Sequence, residues 1–161
     1  MKPRIVRGDL LDQEVDVIVN SWNRNILPWW LLWPQGTVRD IKRRAGMAPL
    51  KALTRSGRIA LGGARETSAG SLPFKAIIHV AGVNLLLNAS QYSVTRAVIN
   101  AMAIVDKKGY ESVAFPLIGA GPDKRDDAWS LRVMERAFLQ IESPAKVTIV
   151  LHGKLGERPR I

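Results

Sequence analysis

Residues 8–23 read "GDLLDQEVDVIVNSWN", and the run within them that decides the fold is "VDVIVN". Val15–Val19 is short, β-branched and nearly continuous in apolar character. A strand covered on one face alternates, whereas a strand covered on both faces does not. The run gives way at Asn20 and again at Asn23, whose side-chain amides offer donors and acceptors where a strand would hand over to a loop. Taken singly, each asparagine reads equally well as a turn residue bonded to its own backbone.

The same signature recurs along the chain. Ala76–Val80, Ser112–Pro116 and Lys146–Leu151 are short apolar runs, while Arg4–Arg7 has charged ends and suits a sheet edge. A weaker candidate, Ala64–Ser68, precedes the turn-like "AGSLP". Between the strands lie helical patterns. In Ser90–Lys108, apolar residues recur at helical spacing from Val94 to Val105; Ser90 is placed to cap, and Gly109 to stop the helix. A second pattern runs from Asp126 to Ile141 with Leu131, Met134, Phe138 and Ile141 as its buried stripe. A shorter one starts near Thr37 and stops at Gly46. Strands alternating with helices predict an α/β sandwich of three layers. No repeat or linker divides the chain, so residues 1–153 are expected to form one domain, followed by a short basic tail at 154–161.

Composition excludes several function classes. Apolar residues at 47% and charged residues at 24% are those of a globular domain, not a disordered one. There is no cysteine and there are only two histidines, His79 and His152, so neither a thiolate nor a histidine-rich metal site is expected, and nothing calls for a cofactor. The run "ILPWWLLWP" is too short to span a membrane, which takes roughly 20 apolar residues. "MKPRIVRGDL" is too polar for a signal peptide, and a cytoplasmic protein is expected. The formal charge of +10 points to anionic partners. Arg39, Lys42, Arg43, Arg44, Lys51, Arg55, Arg58 and Arg65 fall in one stretch whose only acids are Asp40 and Glu66. That stretch reads as a solvated basic face, with weak nucleic-acid contact as its functional alternative. It lacks the interleaved aromatics of a single-strand stacking platform.

In open α/β sheets, ligands collect at the carboxyl ends of the strands. Two loops there carry unusual sequence. One runs from "VDVIVN" through "SWNRNILPWWLLWPQGTV" and puts Gly36 directly before a helix start, where free amides attract phosphate. The other runs from "SVAFPL" through "IGAGPDKRD", where Gly119 and Gly121 let backbone amides turn towards an anion. Together the two loops could grip a diphosphate from both sides.

The pieces "GDLLDQEVDVIVNSWN" at 8–23, "GTVRDIKRRAG" at 36–46, "TSAGSLPFKAIIHVAG" at 67–82 and "SVAFPLIGAG" at 112–121 resemble, in order, those of the macro domains, which bind ADP-ribose. The resemblance implies a three-layer α/β/α sandwich on a central mixed sheet of about six strands. It also implies roles. Asp9 would accept a hydrogen bond from the adenine amino group, with the backbone of Leu10 beside it; guanine presents a carbonyl there and would be refused. Asn23 would face the distal ribose, and Asn20 would shape the strand exit beside the ligand. Gly36, Thr37 and Val38 match the first phosphate loop, and Ile118, Gly119, Ala120 and Gly121 the second, with Pro122 following.

Departures from the family pattern bear on catalysis. A glycine run before the first helix is reduced to Gly36 in "WPQG", and Val38 stands where a well-known hydrolase branch has an aspartate. Pro122 and Asp123 replace that branch's aromatic. A second branch, the terminal ADP-ribose protein glycohydrolases, is similar at "IGAGPDK" and implies a catalytic role for Asp123. Its lysine has no counterpart in "AGVNLLLNAS". Asp123 and Asn23 are therefore the candidate catalytic residues. Trp29, Trp30 and Trp33 are expected to wall the distal ribose, the alternatives being a core plug or a partner surface. Three functions remain open: an enzyme releasing ADP-ribose from a protein, a nucleic acid or an acetyl ester; a reader of ADP-ribose; and a basic nucleic-acid protein. Oligomeric state is left open.

Overall fold

A computed structural model describes residues 1–23, 37–83, 89–120 and 126–153. Strand β1 (Arg4–Arg7) leads into a 3-10 turn at Leu10–Asp12, then β2 (Val17–Asn23), helix α1 (Thr37–Ala45), α2 (Ala48–Arg55) and β3 (Ala64–Thr67). β4 (Ala76–Val83), α3 (Gln91–Lys108), β5 (Ser112–Pro116), α4 (Asp127–Phe138) and β6 (Lys146–Leu151) complete the order. The strands form one sheet in the order β1-β6-β5-β2-β4-β3. Every neighbouring pair is parallel except β3 with β4, so the sheet is mixed, and β1 lies at an edge.

The apolar runs have cover on both sides. Val17 and Val19 of β2, Ile78 and Val80 of β4 and Phe115 of β5 pack on the face covered by α3 and α4, among Val94, Val98, Met102, Met134 and Phe138. Ile18, Ile77, Ala114 and Val150 point the other way, onto Ile41 of α1 and Leu10 and Leu11 of the 3-10 turn. Alternation of successive side chains produces this split, and the result is a three-layer α/β/α sandwich. Phe115 and Phe138 meet edge to face at 5.2 Å, fixing α4 over β5.

Local chemistry sets the element ends. Ser90 and Ser93 form a reciprocal capping box at the start of α3, and Gly109 closes that helix at φ 69°. Asp126 accepts from the Trp129 amide at the start of α4. Two expectations need correction. β2 runs to Asn23 rather than ending at Val19, because β4 continues to Val83 and pairing with it carries β2 past its polar residues. Asn20 and Asn23 are thus inside the strand. α4 stops at Phe138, short of Ile141. α2 and the 3-10 turn have no counterpart in the sequence reading; both are too short for helical periodicity to register.

Candidate functional site

The parallel pairing of β1, β6, β5, β2 and β4 brings their carboxyl ends to one edge of the sheet. Along that edge lie the turn after β1, the loop after β5 and the end of β2. From β1 to β2 is three strand steps, roughly 14 Å at about 4.8 Å per step, a span suited to a ligand lying extended across the strands.

At one end, Asp9 caps the 3-10 turn, its Oδ1 accepting from the Leu11 amide at 2.8 Å. Gln13 Nε2 donates to the Asp9 carbonyl at 2.9 Å. Arg44, near the end of α1, binds Asp12 Oδ1 at 2.9 Å and stands 3.7 Å from Asp9 Oδ2. Its other nitrogen reaches the Leu11 carbonyl at 3.3 Å. These side chains are substantially exposed, so the pairs contribute position more than stability. Leu10 is buried and anchors the turn.

In the middle, Ile118 is fully buried and its amide turns inward to Met134 Sδ at 3.4 Å. Contact with a ligand at this loop therefore falls to the residues after it. Gly119 has φ 84°, and a Cβ there would lie 2.6 Å from Ala89 Cβ, so both the conformation and the space require glycine. Gly82, at the end of β4, is required for a different reason: a Cβ would sit 2.2 Å from Ile118 Cγ2.

At β2, the backbone pairing with β4 shifts register between Trp22 and Asn23, so that Asn23 pairs with Val83. Asn20 is fully buried, and its Nδ2 lies 3.1 Å from His79 Nδ1. His79 Nε2 lies 2.8 Å from Thr67 Oγ1. Burial drives the His79 pKa down to about 3, which keeps the ring neutral. Thr37 and Val38 form the first turn of α1.

Along this edge lie Asp9 and Leu10 in the turn after β1, Gly119 and Ala120 in the loop after β5, and Asn23 at the end of β2, while Ile118 and Asn20 are buried and Thr37 and Val38 open α1. Gly36, Gly121, Pro122, Asp123 and the tryptophans Trp29, Trp30 and Trp33 lie outside the described residues. Sequence reasoning missed His79, Thr67, Arg44 and Gly82. A signal for His79 existed: "AIIH" and "VIVN" each carry a polar residue at the fourth position, and the two pair in register. Among the described residues, no group of three or more His, Cys, Asp or Glu side chains could hold a metal ion, and no helix is long and apolar enough to cross a membrane.

Comparison with known proteins agrees with this fold. Residues 19–134 match the model of the Macro domain. The O-acetyl-ADP-ribose deacetylase of Enterobacter sp. (strain 638) is 36% identical over 129 residues, covering 75% of this chain and 69% of the relative. That of Citrobacter koseri is 38% identical over 130 residues, covering 75% and 70%. Among solved structures, a mutant Oceanobacillus iheyensis macrodomain with ADPR superimposes with a TM-score of 0.77 at 25% identity, over 91% of this chain and 83% of that one. The macrodomain of Thermus aquaticus DarG, at 20% identity and a TM-score of 0.69, shares the fold over 94% of this chain and 97% of its own.

Proposed function

The chain belongs to the macro domain family, and from that premise we propose that the carboxyl edge of its sheet binds ADP-ribose or an ADP-ribosyl group. The observation that carries this reading is the arrangement of three separate elements along one edge. The Asp9 turn takes the adenine, the loop opened by Gly119 and the start of α1 take the diphosphate, and the end of β2 at Asn23 takes the distal ribose. Relatives more than a third identical are O-acetyl-ADP-ribose deacetylases, which makes hydrolysis at the distal ribose the reaction to test first. In this reading Asn23 orients the distal ribose and Asp123 supplies the carboxylate that acts on water.

A second reading, binding without turnover, is favoured by Val38, which stands where a well-known hydrolase branch of the family carries an aspartate. One experiment separates the two. Parent, Asp123→Ala and Asp123→Asn are incubated with O-acetyl-ADP-ribose, ADP-ribosylated proteins and ADP-ribosylated DNA, with ADP-ribose affinity measured in parallel. Release by the parent that disappears in the variants while affinity persists supports the enzyme; a parent that binds and releases nothing leaves the reader.

The basic stretch gives the proposed partner a second handle. Lys42, Arg43, Arg44, Lys51, Arg55 and Arg58 are exposed on and after α1 and α2, while Arg65 turns in to the Ser56 and Gly57 carbonyls at the end of α2. Residues 41–63 contain no acid. Such a face suits weak contact with a polyanion such as an ADP-ribosylated nucleic acid.

A further inference from the structure

Asn20, His79 and Thr67 form a buried polar chain across β2, β4 and β3, on the sheet face that carries α1. Its direction can be assigned. Thr67 Oγ1 donates to the Ser68 carbonyl at 3.1 Å, so towards His79 it is an acceptor, and His79 Nε2 carries the proton. An amide nitrogen only donates, so His79 Nδ1 accepts from Asn20 Nδ2. The ring is thereby held in one tautomer, and the Asn20 amide in one orientation. Its Oδ1 is buried and has no hydrogen-bond partner among the described residues. A buried acceptor without a donor destabilises the protein that contains it.

The position of that oxygen suggests what completes it. Asn20 and His79 are partners in register, and the β2–β4 register shifts a few residues further on, at Trp22/Asn23. The open acceptor therefore belongs to β2, three residues before the strand end assigned to the distal ribose. We propose that a hydroxyl of the distal ribose supplies the missing donor to Asn20 Oδ1, directly or through one trapped water, so that the Thr67–His79–Asn20 chain positions the site for ADP-ribose over ADP. This rests on the ADP-ribose reading and adds to it the residues that set preference for the distal sugar. A water bridge would serve as well as direct contact, because bridged hydrogen bonds are enthalpically almost as good.

The comparison of ADP-ribose with ADP is the test, since ADP carries the adenine and both phosphates but not the distal ribose. Affinities for both are measured by calorimetry on the parent, Asn20→Leu, His79→Phe and His79→Gln. Asn20→Leu and His79→Phe should weaken ADP-ribose about tenfold, the worth of one hydrogen bond, and leave ADP within about twofold. His79→Gln keeps an acceptor and a donor and should restore most of the preference. A chain that only braces the sheet would weaken both ligands alike, and that result, or unchanged affinity for both, overturns the inference. Should the variants fail to fold, the parent alone decides. The His79 ring nitrogen resonances should move with ADP-ribose and stay put with ADP; equal movement counts against the chain. A parent that binds neither ligand removes the ADP-ribose reading and this inference with it, whereas a binding parent with indifferent variants removes the inference only.

Discussion

In the ADP-ribose reading, Asp9 does two jobs with one carboxylate. Its Oδ1 caps the 3-10 turn, and the proposed adenine contact uses what remains. Asp9→Ala should therefore lose a charge-assisted hydrogen bond worth about 1.5–3 kcal/mol, a drop in ADP-ribose affinity of roughly 10- to 150-fold by calorimetry, together with about 1 kcal/mol of stability from the lost cap. Asp9→Asn separates the two, because asparagine caps as well as aspartate. Its melting temperature should match the parent while its ADP-ribose affinity falls. His79 makes a second prediction at this scale. Its pKa is lowered in the fold to about 3 from an ordinary 6.5, so between those values the unfolded chain binds the extra proton. Stability from this group is complete above pH 6.5 and is lost as pH falls towards 3, at no more than about 1.4 kcal/mol per pH unit. Melting curves from pH 7 to 4.5 should show the parent losing more stability than His79→Gln; parallel curves would mean that the ring titrates normally.

Between elements, Gly82 and Ile118 act as one joint. A methyl at residue 82 would meet Ile118 Cγ2, pushing out the residue on which the loop after β5 rests. Gly82→Ala should cost about 1–3 kcal/mol in urea unfolding and weaken ADP-ribose binding through the displaced loop. Ile118→Ala removes the obstructing methyl, so the double variant should bind better than Gly82→Ala alone; strict additivity of the two changes would show that they do not touch. The same joint shows what the sequence could and could not disclose. "SVAFPL" and "IGAG" announced a strand and a glycine loop because periodicity and turn chemistry are local. That Ile118 turns inward, or that Gly82 is small for its sake, depends on a neighbour contributed by another strand. Asn20 illustrates the point again: its polarity suggested a strand end, but pairing with β4 carried the strand onward and made it a core residue. The layered mixed sheet and the edge position of β1 followed from the apolar runs, the charged ends of Arg4–Arg7 and the resemblance, whereas α2 and the 3-10 turn are held by tertiary packing on Leu50, Leu53, Leu10 and Leu11 rather than by any periodic signal.

Across the whole molecule, the formal charge of +10 and the exposed cations of α1 and α2 would govern any contact with polyanions. Binding to plain DNA or RNA should be weak, indifferent to sequence and steeply dependent on salt, since phosphate neutralisation is its only source. Replacing Lys42, Arg43 and Arg55 together by Ala should flatten the salt dependence measured by fluorescence anisotropy and leave affinity for free ADP-ribose near the parent's. Tight binding that persists in high salt would require base contacts that the α1–α2 face does not offer.

The pairing of β1 with β6 has a consequence in time. Arg4 lies opposite Thr148, and the Gly8 amide reaches the Leu151 carbonyl, so the turn at Asp9 is braced by β6, the last of the six described strands to be synthesised. A nascent chain can assemble β2, β4 and β5 with their helices while β1 still waits for its neighbour, because contacts so distant in sequence form late. During synthesis the end of β2 and the loop after β5 would thus form before the Asp9 turn is braced, and in the ADP-ribose reading a chain stalled before Lys146 would be folded in part yet blind to adenine.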